Sequence, residues 1–116
     1  PLQVEEGIEE AQTQMLFGNY EKALEIMSQL HASEPDNLEV LDMYGTVLAE
    51  VGDTVNATAA LKKAIGMCPD EGHEKYMYLS QLVEGDEAIG YSKKGIEVLR
   101  KAVLEEADPV SREELG

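Results

Sequence analysis

The sequence predicts an all-α fold built from antiparallel helix pairs that stack side by side into a superhelix. Apolar residues recur at spacings of three and four through most of the chain, which is typical of helices with one buried face. Short segments rich in Gly, Asn, Asp and Pro separate these stretches. Three pairs of identical residues are each 34 positions apart, which indicates a structural repeat: Gly18 and Gly52, Ala23 and Ala57, Pro35 and Pro69.

The first predicted helix pair begins with a helix from about Gln3 to Leu16. Gly18-Asn19 forms the turn, because both residue types tolerate the left-handed backbone that ends a helix. A second helix follows from about Tyr20 to Ala32. It ends before Pro35, which lacks the N–H needed to continue a helix. The first helix carries a buried stripe at the spacing of one helix face: Val4, Ile8, Ala11 and Met15.

The second pair repeats this plan. Asp36 or Asn37 can cap a helix that runs from about Leu38 to Glu50. Gly52-Asp53 then turns the chain, and the partner helix extends from about Thr54 to Met67. Pro69-Asp70-Glu71-Gly72 closes the unit as Pro35 closed the one before it.

The third pair is predicted to be irregular. Its helices run from about Glu74 to Val83 and from near Glu87 to about Glu106, with a turn at Glu84-Gly85-Asp86. The turn arrives early, so the first helix is predicted to be about one turn shorter than its counterparts. We expect a single domain, or a fragment of a longer array, with repeats at about 4–37, 38–71 and 72–106 and a tail at 107–116. Residues 110–116 either start another helix or fray.

The stretch from Leu38 to Glu71 resembles a tetratricopeptide repeat (TPR), a unit of two helices and 34 residues. The resemblance rests on small and large residues at fixed spacings: Leu41, Tyr44-Gly45, Leu48, Ala57, Leu61, Ala64 and Pro69. It implies a TPR superhelix of about three repeats. By the same resemblance, the first helix of each pair lines a concave groove and the second forms the convex back.

The charge of the chain is strongly acidic. It has 24 acidic and 9 basic residues, for a formal net charge of −15. Such a field repels nucleic acid and anionic membranes and attracts basic partners. No run of about 18 apolar residues is present, which predicts no membrane contact by a spanning helix. The alternative is that the acidity only keeps the protein in solution.

The basic residues are distributed unevenly between the predicted helices. Seven fall on the second helices of the pairs, and only Lys75 falls on a first helix. The TPR resemblance then predicts an acidic and amide-rich groove, which suits an extended basic peptide because carboxylates form strong contacts with Arg. We expect Glu39, Asp42 and Glu50 to be exposed. The alternative to a peptide-binding role is that the acids form only a solvated face. The predicted groove residues are Gln12, Glu39, Asp42, Thr46, Glu50, Glu74, Met77, Gln81 and Glu84.

The sequence does not predict an enzyme, a metal site or a cofactor. His31 and His73 are isolated, and no His or Cys pair has the spacing of metal ligands. Cys68 has no base beside it in the sequence and is predicted to be a structural thiol. The many carboxylates include no pair that stands out for acid–base catalysis.

Residues Pro69 to Leu99 resemble a more specific family. They contain Pro69-Asp70-Glu71-Gly72, Glu74-Lys75-Tyr76, Tyr78-Leu79, Gln81-Leu82, Glu84-Gly85 and Lys94-Gly95-Ile96. This pattern is similar to fungal and plant TPR proteins that are dedicated assembly chaperones of large-subunit ribosomal protein four. The resemblance implies a protein that shields the long basic loop of this client and escorts it from cytoplasm to nucleus for ribosome assembly. The alternative is a general TPR scaffold that joins two proteins. The oligomeric state stays open.

Overall fold

The computed structural model of the protein describes residues 3–107. These residues form α-helices joined by short turns, and no strand occurs within them. Consecutive helices pack as three pairs, and each pair also packs on the next. The helices are α1 (Val4–Leu16), α2 (Tyr20–Ser33), α3 (Leu38–Val51), α4 (Thr54–Met67), α5 (His73–Leu82) and α6 (Gly85–Ala107).

The ends of the helices follow from the turn residues in the sequence. Gly18 and Gly52, after the first helix of their pairs, have φ angles of 80° and 89°. Glycine adopts this left-handed conformation without the steric penalty of a Cβ atom. The side chain of Asn37 accepts a hydrogen bond from the backbone N–H of Val40, and Asp53 accepts one from Asn56. Both residues therefore cap the helix that follows them.

The core of the first two pairs is organised around α3. One cluster joins Ala11 of α1 and Met27 of α2 to Val40 and Val47 on one face of α3. A second cluster places Leu41 and Leu48, from another face of α3, against Ala residues of α4. A helix with two apolar faces must be covered from both sides, so α3 is the central element of the array.

The third pair departs from the regular pattern, as the sequence predicts. Helix α5 has 10 residues, compared with 14 in α3, and α6 extends to 23 residues. The corner lies at Val83 and Glu84, because α6 already begins at Gly85. The difference of four residues is about one helical turn.

The other helix bounds agree with the sequence prediction to within one or two residues. The exact limits of the repeats remain a prediction, and the predicted tail beyond Ala107 lies outside the described residues. None of the helices formed by residues 3–107 combines the length and apolarity needed to cross a bilayer. Exposed apolar side chains occur at Leu16 and Phe17, and along the outer face of α6 at Ile89, Ile96 and Val103.

Candidate partner-binding surface

The first helices of the three pairs are neighbours. Helix α3 packs on both α1 and α5, and the three helices together line a cavity of about 220 Å³. Five of the nine predicted groove residues line this cavity: Gln12, Glu39, Asp42, Thr46 and Glu74. Ile8, Met43, Gly72 and Lys75 complete its lining. We call this the α1–α3–α5 cavity. Gln12 and Glu74, which are 62 positions apart in the sequence, meet here because the helix pairs stack in phase.

Asp42 is the most buried of the acids in this cavity. Its side chain is half-buried, whereas Glu39 and Glu74 are exposed. The expectation of exposure for Glu39, Asp42 and Glu50 is therefore wrong for Asp42. The cause is that α3 lies between α1 and α5, where its groove side is partly covered. Within residues 3–107, Asp42 Oδ1 is fully buried and has no hydrogen-bond partner.

The electrostatic environment of Asp42 reflects this position. Burial raises the pKa of the Asp42 carboxyl above its ordinary value of 3.8, because desolvation disfavours the anion. The ammonium group of Lys75 opposes this shift, and the nearby Glu74 carboxylate adds to it. Burial and the Glu74 carboxylate therefore act on the pKa of Asp42 in the direction opposite to the Lys75 ammonium.

Lys75 is the functional candidate that the sequence reasoning did not select. It is only 3% exposed, which is exceptional for a lysine. Its ammonium nitrogen donates a hydrogen bond to the carbonyl oxygen of Cys68 in the α4–α5 loop. A signal was present, since Lys75 is the single base on a first helix, but sequence alone did not indicate that its side chain turns inward.

Glu50 is placed apart from this cavity. Its carboxylate accepts a hydrogen bond of 3.0 Å from the hydroxyl of Tyr78 on α5. Burial and this hydrogen bond raise the pKa of Tyr78 to about 12. Glu50 also lines a separate depression with Tyr20 and Val51 near the α1–α2 turn. Glu50 therefore links α3 to α5 through this hydrogen bond, although its side chain is exposed.

The remaining predicted residues lie on or beside α5. Met77 packs towards α6, since a Cβ atom built on Gly95 would lie 2.7 Å from Met77 Cε. Gln81 is exposed on α5, and Glu84 is exposed in the corner before α6. These three residues do not line the α1–α3–α5 cavity. The early corner of the third pair explains this, because it shortens the surface that α5 contributes.

The basic residues of the second helices contact loops and neighbouring helices. Lys63 donates to the backbone carbonyl of Pro35 and to the carboxylate of Asp36, each at 3.1 Å. Lys94 lies 3.4 Å from Asp70, and Lys62 lies 3.0 Å from Glu87. These pairs lie at the surface, so each contributes little stability. Their placement leaves the acids of the α1–α3–α5 cavity with Lys75 as the one basic residue of its lining.

The described residues offer little support for metal chemistry. No group of three or more His, Cys, Asp or Glu side chains within residues 3–107 could hold a metal ion. Cys68 is half-buried, and its sulfur lies 3.9 Å from a carboxylate oxygen of Glu71.

Comparison with known proteins identifies relatives of this arrangement. No protein-family model matches the chain. The chain is 27% identical over 81 residues to the probable assembly chaperone of rpl4 from Schizosaccharomyces pombe. The match covers 66% of this chain and 24% of that protein. This chain therefore spans about a quarter of the length of the curated relative that it matches.

Solved structures show the same architecture. The structure of the assembly chaperone of RpL4 (Acl4) superimposes with a TM-score of 0.84 at 22% identity, over 97% of this chain and 44% of that one. A thermophilic TPR protein of Thermus thermophilus superimposes with a TM-score of 0.63 at 21% identity, over 90% of this chain and 57% of that one. The fold is a tetratricopeptide-repeat superhelix. The predicted fold class is confirmed, and in this TPR array α1, α3 and α5 are the first helices of successive pairs.

MamA provides a third solved relative. Its crystal structure matches with a TM-score of 0.67 at 19% identity, over 84% of this chain and 56% of that one. At these identities, the structural matches define the architecture of the TPR array. A more specific role has to be argued from the side chains of this chain.

Proposed function

We propose that this TPR array belongs to a chaperone that shields a basic ribosomal protein of the large subunit, through the acids on its first helices. The client would be ribosomal protein four, held by its long basic loop in the cytoplasm and escorted to ribosome assembly in the nucleus. Binding rather than catalysis is the proposed activity, without a cofactor and without direct contact to nucleic acid or membrane. The carboxylates hold the loop until RNA, a stronger polyanion, replaces them.

The observation that carries this proposal is the uneven distribution of bases: within residues 3–107, seven lie on the second helices and only Lys75 lies on a first helix. Glu39, Asp42 and Glu74 meet at the α1–α3–α5 cavity, beside the amide of Gln12 and the apolar side chain of Ile8. A basic segment with some apolar residues matches this lining, because guanidinium and ammonium groups form charge-assisted hydrogen bonds with carboxylates. The net charge of −15 adds long-range attraction to such a segment.

The similarity to the rpl4 assembly chaperone supports the identity of the client. That protein is named for its assembly of rpl4, and its match covers 66% of this chain. A basic ribosomal protein is also the kind of partner that the charge distribution favours. The side-chain chemistry and the similarity therefore point to the same class of client.

The salt dependence of binding tests the proposal. A labelled peptide with the sequence of the basic client loop is titrated with the protein at low and at high ionic strength. We expect the affinity to fall steeply as salt rises, because added ions screen contacts between exposed charges. Equal affinities at both salt concentrations would instead favour the alternative of a general TPR scaffold with mainly apolar contacts.

A charge-reversal variant tests the position of the site. Glu39→Lys combined with Glu74→Lys changes two exposed acids of the cavity, and we expect at least a tenfold loss of peptide affinity, about 1.4 kcal/mol or more. The matched control reverses two acids of second helices, Glu25 and Glu105, and alters net charge equally. Similar losses in both variants would show that overall charge, and not this cavity, binds the peptide.

A further inference from the structure

We propose that Lys75 is a positioning residue that keeps Asp42 in its anionic form, so that the cavity presents a fixed negative charge to a basic partner. This inference rests on the proposed function and deepens it. It assigns recognition to the Asp42 carboxylate and assigns control of that carboxylate to a buried cation. Lys75 itself would make no contact with the partner.

Lys75 is a buried lysine. At 3% exposure, its side chain is almost completely removed from water. An isolated buried ammonium is costly unless it is paired and hydrogen-bonded. One of its three donors is used by the Cys68 carbonyl, which fixes the end of the side chain in the α4–α5 loop. Gly72 lies beside it, since a Cβ atom there would make an ordinary van der Waals contact with the Lys75 nitrogen at 3.6 Å.

Asp42 is a partly buried carboxylate that lacks part of its hydrogen bonding within the described part of the chain. One carboxylate oxygen is fully buried and lacks a hydrogen-bond partner among residues 3–107. A carboxylate in that position would tend to take up a proton, because desolvation disfavours its charge. The nearby positive charge of Lys75 counteracts this tendency. The two groups therefore bring opposite charges to the lining of one cavity, although they come from different helix pairs.

The other charged side chains of the cavity lining come from α3 and α5. Glu39 comes from α3 itself, and Glu74 and Lys75 come from α5. Helix α1 contributes the neutral Gln12. His73 lies beside Glu74, with its Nδ1 3.4 Å from that carboxylate. Lys75 is thus the one lysine or arginine in the lining of the cavity, and its removal would leave Glu39 and Glu74 as the other ionisable side chains of the lining around Asp42.

The test measures how pH affects the binding of a labelled peptide of alternating Arg and Ala. In the wild-type protein, we expect affinity to be nearly constant around neutral pH and to fall at acidic pH as Asp42 is protonated. In Lys75→Met, Asp42 loses its counter-charge, so the fall should begin at higher pH. The loss of affinity relative to the wild-type protein should be largest in the acidic range, where Asp42 is ionised in the wild-type protein and protonated in the variant, and should reach about tenfold, as for one charge-assisted hydrogen bond.

Two further variants separate this role from a purely structural one. Lys75→Arg keeps the charge and should retain the wild-type pH profile. Asp42→Asn removes the titrating group, so adding Lys75→Met to it should not move the pH profile further. A shift of equal size in the Asp42→Asn background would overturn the inference, because Lys75 would then act through another group.

Folding is monitored by circular dichroism for each variant. Lys75→Gln provides a second neutral side chain, one that can still donate a hydrogen bond. If neither neutral variant folds, the charge stabilises the fold rather than the site, and the inference is wrong. Absence of peptide binding by the wild-type protein would overturn the proposed function as well. Wild-type binding with an unchanged pH profile in Lys75→Met would overturn this inference alone.

Discussion

The second and third helix pairs achieve close packing in opposite ways. In the second pair, the glycine lies on the first helix: a Cβ atom on Gly45 would lie 2.8 Å from the side chain of Leu61 on α4. In the third pair, the glycine lies on the second helix: a Cβ atom on Gly95 would lie 2.7 Å from Met77 and 3.0 Å from Tyr76, both on α5. The large and small partners have exchanged helices.

This exchange shows that close helix contact constrains the combined volume of the two facing side chains. It does not fix which of the two positions carries the small residue. Close-packed interiors require the volumes on facing helices to be complementary. In the third pair, α5 is short and carries large aromatic residues, and Gly95 on α6 makes room for them. The fold therefore tolerates an irregular repeat, provided that the facing residues change together.

The largest expected effect concerns the regular part of the array. Leu61→Ala removes a fully buried side chain that packs on Gly45, and should lower the free energy of unfolding by about 2–5 kcal/mol. Urea denaturation provides the measurement. Val55→Ala is the control on the same helix, since Val55 is 79% exposed, and should change stability by less than about 0.5 kcal/mol. Equal effects would contradict the placement of Leu61 in the core.

A smaller effect is expected when a methyl group is added at each of the two glycines. Gly45→Ala meets both Cγ and Cδ2 of Leu61, so we expect a loss of about 1–3 kcal/mol from overpacking. Gly95→Ala meets the end of the flexible Met77 side chain, which can move, and the less mobile Cβ of Tyr76 at the longer distance of 3.0 Å, and it should cost less.

The control for this pair is Gly90→Ala on α6, where a Cβ atom would meet no neighbour within 4 Å. It should stabilise the helix by about 0.5–1 kcal/mol through helix propensity alone. Thermal melts of the three variants rank their effects. A larger loss in Gly95→Ala than in Gly45→Ala would show that the third pair is the more rigidly packed of the two.

The smallest effect concerns the link between the two regions. Tyr78→Phe removes the hydrogen bond from α5 to Glu50 on α3 and should cost about 1 kcal/mol at neutral pH. The folded-state pKa of Tyr78 is about 12, whereas an unfolded tyrosine titrates near pH 10. This contribution to stability is therefore complete below about pH 10 and is lost as pH rises towards 12.

Denaturation at increasing alkaline pH measures this link. Tyr78→Phe should reduce the loss of stability at alkaline pH. Part of that loss should remain in the variant, because burial also raises the pKa of Tyr76. Tyr91→Phe is the control, because Tyr91 faces Glu87 on its own helix, at 3.5 Å. An unchanged alkaline loss in Tyr78→Phe would show that this tyrosine does not couple α5 to α3.

The helices and their 34-residue period could be predicted from the amino-acid sequence alone. Local features carry this information: the apolar stripes, the glycines at 18 and 52, the cap at Asn37 and the prolines that end each unit. The sequence also indicated that the third pair would be shorter at its corner and that bases would favour the second helices. These properties depend on residues that are near one another in the chain, so periodicity and turn chemistry suffice to predict them.

Which side chains contact one another, and which are buried, depends on how the helices pack and could not be predicted from the sequence. The sequence placed Asp42 and Met77 in the same predicted groove, but the stacking of α3 between α1 and α5 half-buries Asp42, and Met77 packs towards α6. The sequence also did not indicate that the side chain of Lys75 is buried. Burial and long-range electrostatics arise from elements far apart in sequence, and the proximity of Lys75 to Asp42 exists only once the second and third helix pairs have packed together.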